Sequence, residues 1–280
     1  MAIETSEFIT DYCAGAVGGR PSARCRVVRT TDEHHAAVIC KSLVAQQGAD
    51  DARRVRDMLR KEYAVGCMLS AATPYVVRCV GLVDTPCECV LTLEYVSGDT
   101  LDAIISAEPD YFASPQRLRR FLTQLLQGLA VVHRHQVVHL DLKPSNIMLT
   151  RVNRDVRIID FGLCYYGGYP STMGLTAAYA APEQLDGSAD VDARTDIYAV
   201  GRLIEYIESH TRAVTPAARR RLTALKERCL AAEKARRWQS ADEMLRYLSR
   251  KRRRGAVAAV AAAAVMVAAA VTAALAMLMS

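Results

Sequence analysis

Residues 137–149, VVHLDLKPSNIML, bring three kinds of side chain close together: the carboxylate of Asp141, the ammonium of Lys143 and the amide of Asn146. The apolar entry and short apolar exit place them on one loop. Phosphoryl transfer calls for this set, with a carboxylate to orient a hydroxyl, a cation for the moving phosphate and an amide oxygen for a metal. Eleven residues beyond Asn146 a second apolar stretch, 157–160, ends in Asp160, followed by Phe161 and Gly162. A carboxylate on a flexible turn supplies a further metal ligand near the first.

These residues need elements to hold them. Up to about residue 96 the chain reads as strands with one helix: Val-rich runs at 24–30, 36–44, 76–83 and 89–96, and helical spacing over 51–69. After Gly98 the character becomes helical. Ser114 followed by Pro115 is the pairing expected at a helix start. Leu118, Phe121, Leu122, Leu125, Leu126 and Leu129 then share one face. Further helices are expected at 195–209, 216–231 and 240–250. No internal repeat and no linker divides the chain.

The net charge of +6 is local, because Arg250, Lys251, Arg252, Arg253 and Arg254 supply five positive charges in one run. A nucleic-acid partner is therefore not expected. Residues 256–279 carry no charge, which as a helix of about 36 Å against a hydrocarbon core of about 30 Å leads to the expectation of a transmembrane segment. The adjacent basic run at 250–255 would keep the preceding domain cytosolic, the arrangement of a C-terminal tail anchor. Nine cysteines without a CxxC pair read as reduced thiols, neither a disulfide frame nor a zinc site. Cys164 reads as an inert packed thiol.

In order, over nearly the whole of residues 11–248, the sequence resembles the protein kinase superfamily. HLDLKPSN looks like the catalytic loop, and the same HLDLKP string occurs in Mos-type kinases. DFG looks like the magnesium loop, and Ala181, Pro182 and Glu183 like the end of the activation segment. The resemblance implies an α+β bilobal fold, with a small β-rich lobe (1–96), a larger helical lobe (97–249) and the C-terminal membrane helix. It implies Asp141 as catalytic base, Lys143 at the γ-phosphate, and Asn146 and Asp160 as magnesium ligands. The form LKPSN is similar to serine/threonine kinases. Thr176 in LTAAYAAPE matches the threonine that those enzymes set against the aspartate and lysine. Lys41 in AVICKSL resembles the lysine on the α- and β-phosphates, with Glu62 as its helix partner. VLTLEYVSG resembles the adenine hinge, with Leu93 as gatekeeper, backbone contacts at Glu94 and Val96, and Met148 under the purine. Asp196 is similar to the brace of the catalytic loop, and Arg237 to the partner of Glu183.

ATP with Mg2+, or alternatively Mn2+, and protein substrates bearing Ser or Thr are what this resemblance implies. The chain departs from the family in four places. It has no GxGxxG: either residues 19–27, GRPSARCRV, fill that slot, or Gly15, Gly18 and Gly19 form the loop and the second strand is longer. Ile39 stands where a small alanine usually covers the adenine. Leu140 replaces the arginine before the catalytic aspartate, so phosphorylation at Ser171, Thr172 or Thr176 is not expected to be the on-switch. Few residues separate Ser209 from Pro216, where the family has more. An active kinase and a scaffolding pseudokinase at a membrane are the main readings left open, with binding of anionic lipid or nucleic acid by Arg250 to Arg254 as a third.

Overall fold

The computed structural model describes residues 7–12, 23–43, 49–167, 176–186, 190–211 and 216–249. Strands β1 (Glu7–Tyr12), β2 (Ala23–Thr31) and β3 (Ala37–Leu43) lead into helix α1 (Ala49–Ala72), followed by β4 (Cys79–Asp84) and β5 (Cys89–Glu94). They form one antiparallel sheet in the order β1-β2-β3-β5-β4. β1 was not legible in the sequence. Its pairing of Asp11 with Arg24 puts Arg24 inside β2, so residues 19–27 cannot all belong to the turn. Gly15, Gly18 and Gly19, on which the other placement rests, lie in the connection at 13–22, outside the described residues.

Helix α1 is longer at both ends than its periodicity suggests. Asp50 and Asp51 stand in its first turn, where carboxylates oppose the helix dipole, and Thr73 with Pro74 follows its end. Val55, Met58, Leu59, Glu62, Val65, Gly66 and Leu69 fall on the buried face that packs on the sheet. A Cβ at Gly66 would stand 2.3 Å from the Cys79 sulfur, so only glycine lets α1 approach β4 this closely.

The second lobe begins with β6 (Gly98–Thr100) and α2 (Leu101–Ala107), then α3 (Pro115–Arg134), β7 (Ile147–Thr150) and β8 (Val156–Ile158). A three-stranded sheet β6-β7-β8 carries the loop between α3 and β7. Helices α4 (Pro182–Leu185), α5 (Ala193–His210), α6 (Pro216–Cys229) and α7 (241–249) complete it. Ser114 caps α3 by accepting from the Arg117 amide at 3.4 Å, and Pro115 occupies the first turn. The α3 stripe of Leu118, Phe121, Leu122, Leu125, Leu126 and Leu129 joins Ile197, Val200, Leu203 and Ile204 of α5 in one core. Each such buried side chain contributes about 1.5–3 kcal/mol by leaving water.

The expected membrane location is corrected. No helix among the described residues is long and apolar enough to cross a membrane. The longest, α1 and α3, carry Arg, Lys, Asp or Glu along their outer faces, which suits a surface between core and water. The basic run at 250–255 and residues 256–279, on which the expectation rested, lie outside the described residues.

Candidate active site

The site is built where the two lobes meet. β3 turns Lys41 toward α1, and the buried face of α1 presents Glu62. The Lys41 ammonium donates to Glu62 Oε1 at 2.7 Å and to Asp160 Oδ1 at 3.0 Å. Lys41 is 6% and Glu62 1% exposed, so the pair is shielded from solvent. Burial pushes the Glu62 carboxyl above its usual range, against the opposing pull of Lys41. At Asp160 burial also raises the pKa, but the charge and hydrogen bond of Lys41 win and hold it below the usual range. Asp160 takes a left-handed backbone, φ 66°, which Asp tolerates better than most residues, and its Oδ1 also accepts from the Gly162 amide at 3.3 Å.

The loop after α3 is braced from α5. Asp196, 1% exposed, accepts from the backbone amides of His139 at 2.8 Å and Leu140 at 2.9 Å, and lies 2.9 Å from His133 Nε2. Leu140 has φ 64°, a conformation that costs a residue with a Cβ about 1–3 kcal/mol and persists only where the surroundings impose it. The Asp196 carboxylate and the Gln184 amide, which donates to the Leu140 carbonyl at 3.0 Å, supply that constraint. His139 Nδ1 accepts from the Asp141 amide at 3.3 Å, so its Nε2 is the protonated nitrogen facing the Ile159 carbonyl at 3.2 Å.

At the centre, Asp141 collects four contacts. Its Oδ1 accepts from the Thr176 hydroxyl at 2.7 Å, and its Oδ2 meets the Lys143 ammonium at 2.8 Å and the Asn146 amide nitrogen at 2.9 Å. The same nitrogen donates to the Asp141 carbonyl at 2.9 Å. Lys143 also donates to Thr176 Oγ1 at 3.1 Å, which closes a ring of carboxylate, ammonium and hydroxyl. Thr176 is held here because the segment after it is pinned: Glu183 accepts from Arg237 at 2.7 and 2.9 Å and from the Thr195 hydroxyl at 2.9 Å. Arg237 is fully buried.

On the nucleotide side, Glu94 ends β5 and Val96 follows it, 8% exposed. Leu93 and Val96 belong to the small-lobe core, and Ile39 and Met148 both pack against it. These four side chains therefore share one apolar cluster. Four positions that sequence reasoning passed over also act here: His133, Gln184, Thr195 and Lys61. Lys61 donates to the Cys164 carbonyl at 2.6 Å and so ties α1 to the segment after Gly162. Only His133 left a trace, six residues before His139; the others are ordinary polar residues whose partners lie far along the chain. Cys164 is buried, with its thiol pushed up to about 12 by burial, and Ser171 and Thr172 lie outside the described residues.

The oxygens of Asn146 and Asp160 are hard donors that fit a divalent cation. The Asn146 amide nitrogen is engaged by Asp141, which turns its carbonyl oxygen the other way. Among the described residues no group of three or more His, Cys, Asp or Glu side chains could hold a metal unaided. A magnesium ion shared with substrate phosphates needs only one or two side chains.

The protein kinase domain profile matches residues 20–251, and the chain belongs to that family, whose members use ATP and a divalent metal. Among curated proteins it is similar to the SNF1-like protein kinase ssp2 of Schizosaccharomyces pombe, 30% identical over 146 residues, or 51% of this chain and 25% of that protein. It is also similar to serine/threonine-protein kinase 17A of Oryctolagus cuniculus, 34% identical over 141 residues (48% of this chain, 35% of that one). Mitogen-activated protein kinase kinase 9 of Arabidopsis thaliana is 33% identical over 160 residues (52% and 49%). The alignments span between a quarter and a half of these relatives.

Proposed function

We propose that this chain is an active protein serine/threonine kinase that transfers the γ-phosphoryl group of ATP, with Mg2+, to Ser or Thr hydroxyls of proteins. The observation that carries the reading is the ring of Asp141, Lys143 and Thr176, with contacts of 2.7, 2.8 and 3.1 Å. Asp141 orients the acceptor hydroxyl and takes its proton, while Lys143 neutralises charge on the phosphoryl oxygens. Lys41, held by Glu62, grips the α- and β-phosphates, and the backbone at Glu94 and Val96 receives the adenine above Met148. Asn146 and Asp160 hold the metal, which supplies charge neutralisation between the phosphates. Asp196, Glu183 and Arg237 keep the loop and the activation segment in register. Leu140 offers no charge to a phosphate, so activity without activation-segment phosphorylation follows from the same reading.

Transfer of radiolabel from ATP to a mixed protein substrate tests it, with Asp141→Asn and Lys41→Met as controls. Incorporation by the native chain no greater than by these variants would sink the proposal. The absence of GxGxxG between β1 and β2, with Ile39 where a small alanine usually covers the adenine, favours a second reading, a scaffold without transferase activity. The same assay separates the two.

A further inference from the structure

Away from the cleft, a cavity of about 200 Å3 lies between the start of α3, the preceding turn Tyr111–Ala113 and the β7–β8 turn. Its floor is Tyr111, Phe121 and Leu149, and its walls carry Arg117, Arg120 and Arg154. No carboxylate lines it. Alternation along β7 points Leu149 to the opposite side from Met148, so the cavity and the apolar cluster that Met148 packs against use different faces of one strand.

The three guanidiniums are positioned in different ways. Arg117 lies 4.8 Å and Arg154 5.6 Å from the Tyr111 ring centre. Arg120 is held by Asp155 at 2.8 Å, and Arg154 by Glu108 at 3.2 Å and Asp99 at 3.8 Å, three carboxylates that stand outside the cavity lining and leave Arg117 as its uncompensated charge. Among the described residues Arg117 pairs with no carboxylate. Arg154 has φ 55°, a conformation that favours glycine, yet the turn fixes it there through its amide on the Thr150 carbonyl at 2.9 Å. The same turn exposes Val152 at 90%, the most open large apolar side chain among the described residues.

We propose that this cavity is a docking site for a phosphorylated side chain of a partner protein. Guanidinium forks match phosphate oxygens in pairs, and an arginine cluster is a recurring way to recognise phosphorylated peptides. Pockets for drug-sized ligands run to about 300–1,000 Å3, so this smaller space takes one side-chain head and not a whole nucleotide. Val152 beside the rim gives a protein segment an apolar contact that a free anion would not use. Docking here needs no phosphoryl transfer by this chain.

The test uses the full chain without ATP and a fluorescein-labelled mixed-sequence peptide pool with one central phosphoserine, read by anisotropy against the same pool carrying serine. The phosphoserine pool is expected to bind at least about tenfold more tightly, with Arg117→Gln and Arg154→Gly each removing about tenfold. Arg154→Gly relaxes the left-handed backbone, so it keeps the turn folded and decides the matter if Arg117→Gln melts early. Equal binding of the two pools overturns the proposal, as do variants that bind the phosphoserine pool like the native chain. Displacement by inorganic phosphate at the peptide's own half-saturating concentration also overturns it, because the site would then be one for small anions.

Discussion

Replacing Arg237 with Met removes the buried cation that fastens the end of the activation segment to the helical lobe. The guanidinium is fully buried and donates five hydrogen bonds: two to Glu183 at 2.7 and 2.9 Å, and one each to the carbonyls of Ala231, Ala232 and Arg194 at 2.8, 3.0 and 3.1 Å. Met fills most of the volume but leaves the Glu183 carboxylate and three carbonyls without their donor. Burial raises the Glu183 pKa, yet Arg237 and Thr195 more than offset this and keep it below the usual range in the native chain, so the pair there is ionic and the variant strands its acidic half. Breaking a buried pair from one side costs about 3–5 kcal/mol, and the extra carbonyls put this case toward the upper end. At about 2–4 °C per kcal/mol for a chain of this size, the melting temperature should fall by about 6–20 °C. Differential scanning calorimetry of the native chain, Arg237→Met, Glu183→Leu and the double variant gives the full cycle. The double variant should lose less than the sum of the two singles, because neither charge is then stranded. A single Arg237→Met melting within about 2 °C of the native chain, or strictly additive losses, would refute the reasoning.

Thr176→Val deletes the hydroxyl that donates to Asp141 at 2.7 Å and should lower kcat about 10–100-fold with little change in the KM for ATP, while Thr176→Ser stays near native; steady-state kinetics at saturating ATP decide it. Asp192 caps α5, and although burial raises its pKa, hydrogen bonds from Arg194 and Lys234 bring it down to about 2. Its pKa is depressed in the folded state, so its contribution is whole above about pH 4 and fades as pH falls toward 2. The stability gap between the native chain and Asp192→Asn in urea melts should close over that window, and a gap constant with pH counts against the ion pairs. Brief iodoacetamide treatment of the folded chain should label exposed Cys87 and spare Cys25, Cys79 and Cys164, whose buried thiols are pushed up to about 12; peptide mass mapping that finds Cys164 labelled as fast as Cys87 is the contrary result.

Much of this architecture was legible because local patterns carried it. The start of α3 at Ser114 and Pro115 and its leucine stripe follow from capping and periodicity, which act within a few residues. The order of Asp141, Lys143, Asn146 and Asp160 along the chain implied a site. β1 was missed because EFITDY has two adjacent apolar residues and no clean alternation; it is a strand because β2 pairs with it. The membrane location was read from residues 256–279, which lie outside the described residues, and no helix among the described residues is long and apolar enough to cross a membrane.

From the sequence alone came the family resemblance, the two-lobe plan and the set of side chains that could handle phosphate. Only the tertiary structure decided their geometry: Lys41 meets Glu62 across 21 residues and Asp160 across 119, and Leu140 is bent into a left-handed turn by Asp196, 56 residues away. It also gathered Arg117, Arg120 and Arg154, from a helix and a turn, around one tyrosine-floored cavity. Propensity and capping act between near neighbours, whereas the pairing of buried charges depends on which faces the packed elements turn toward one another.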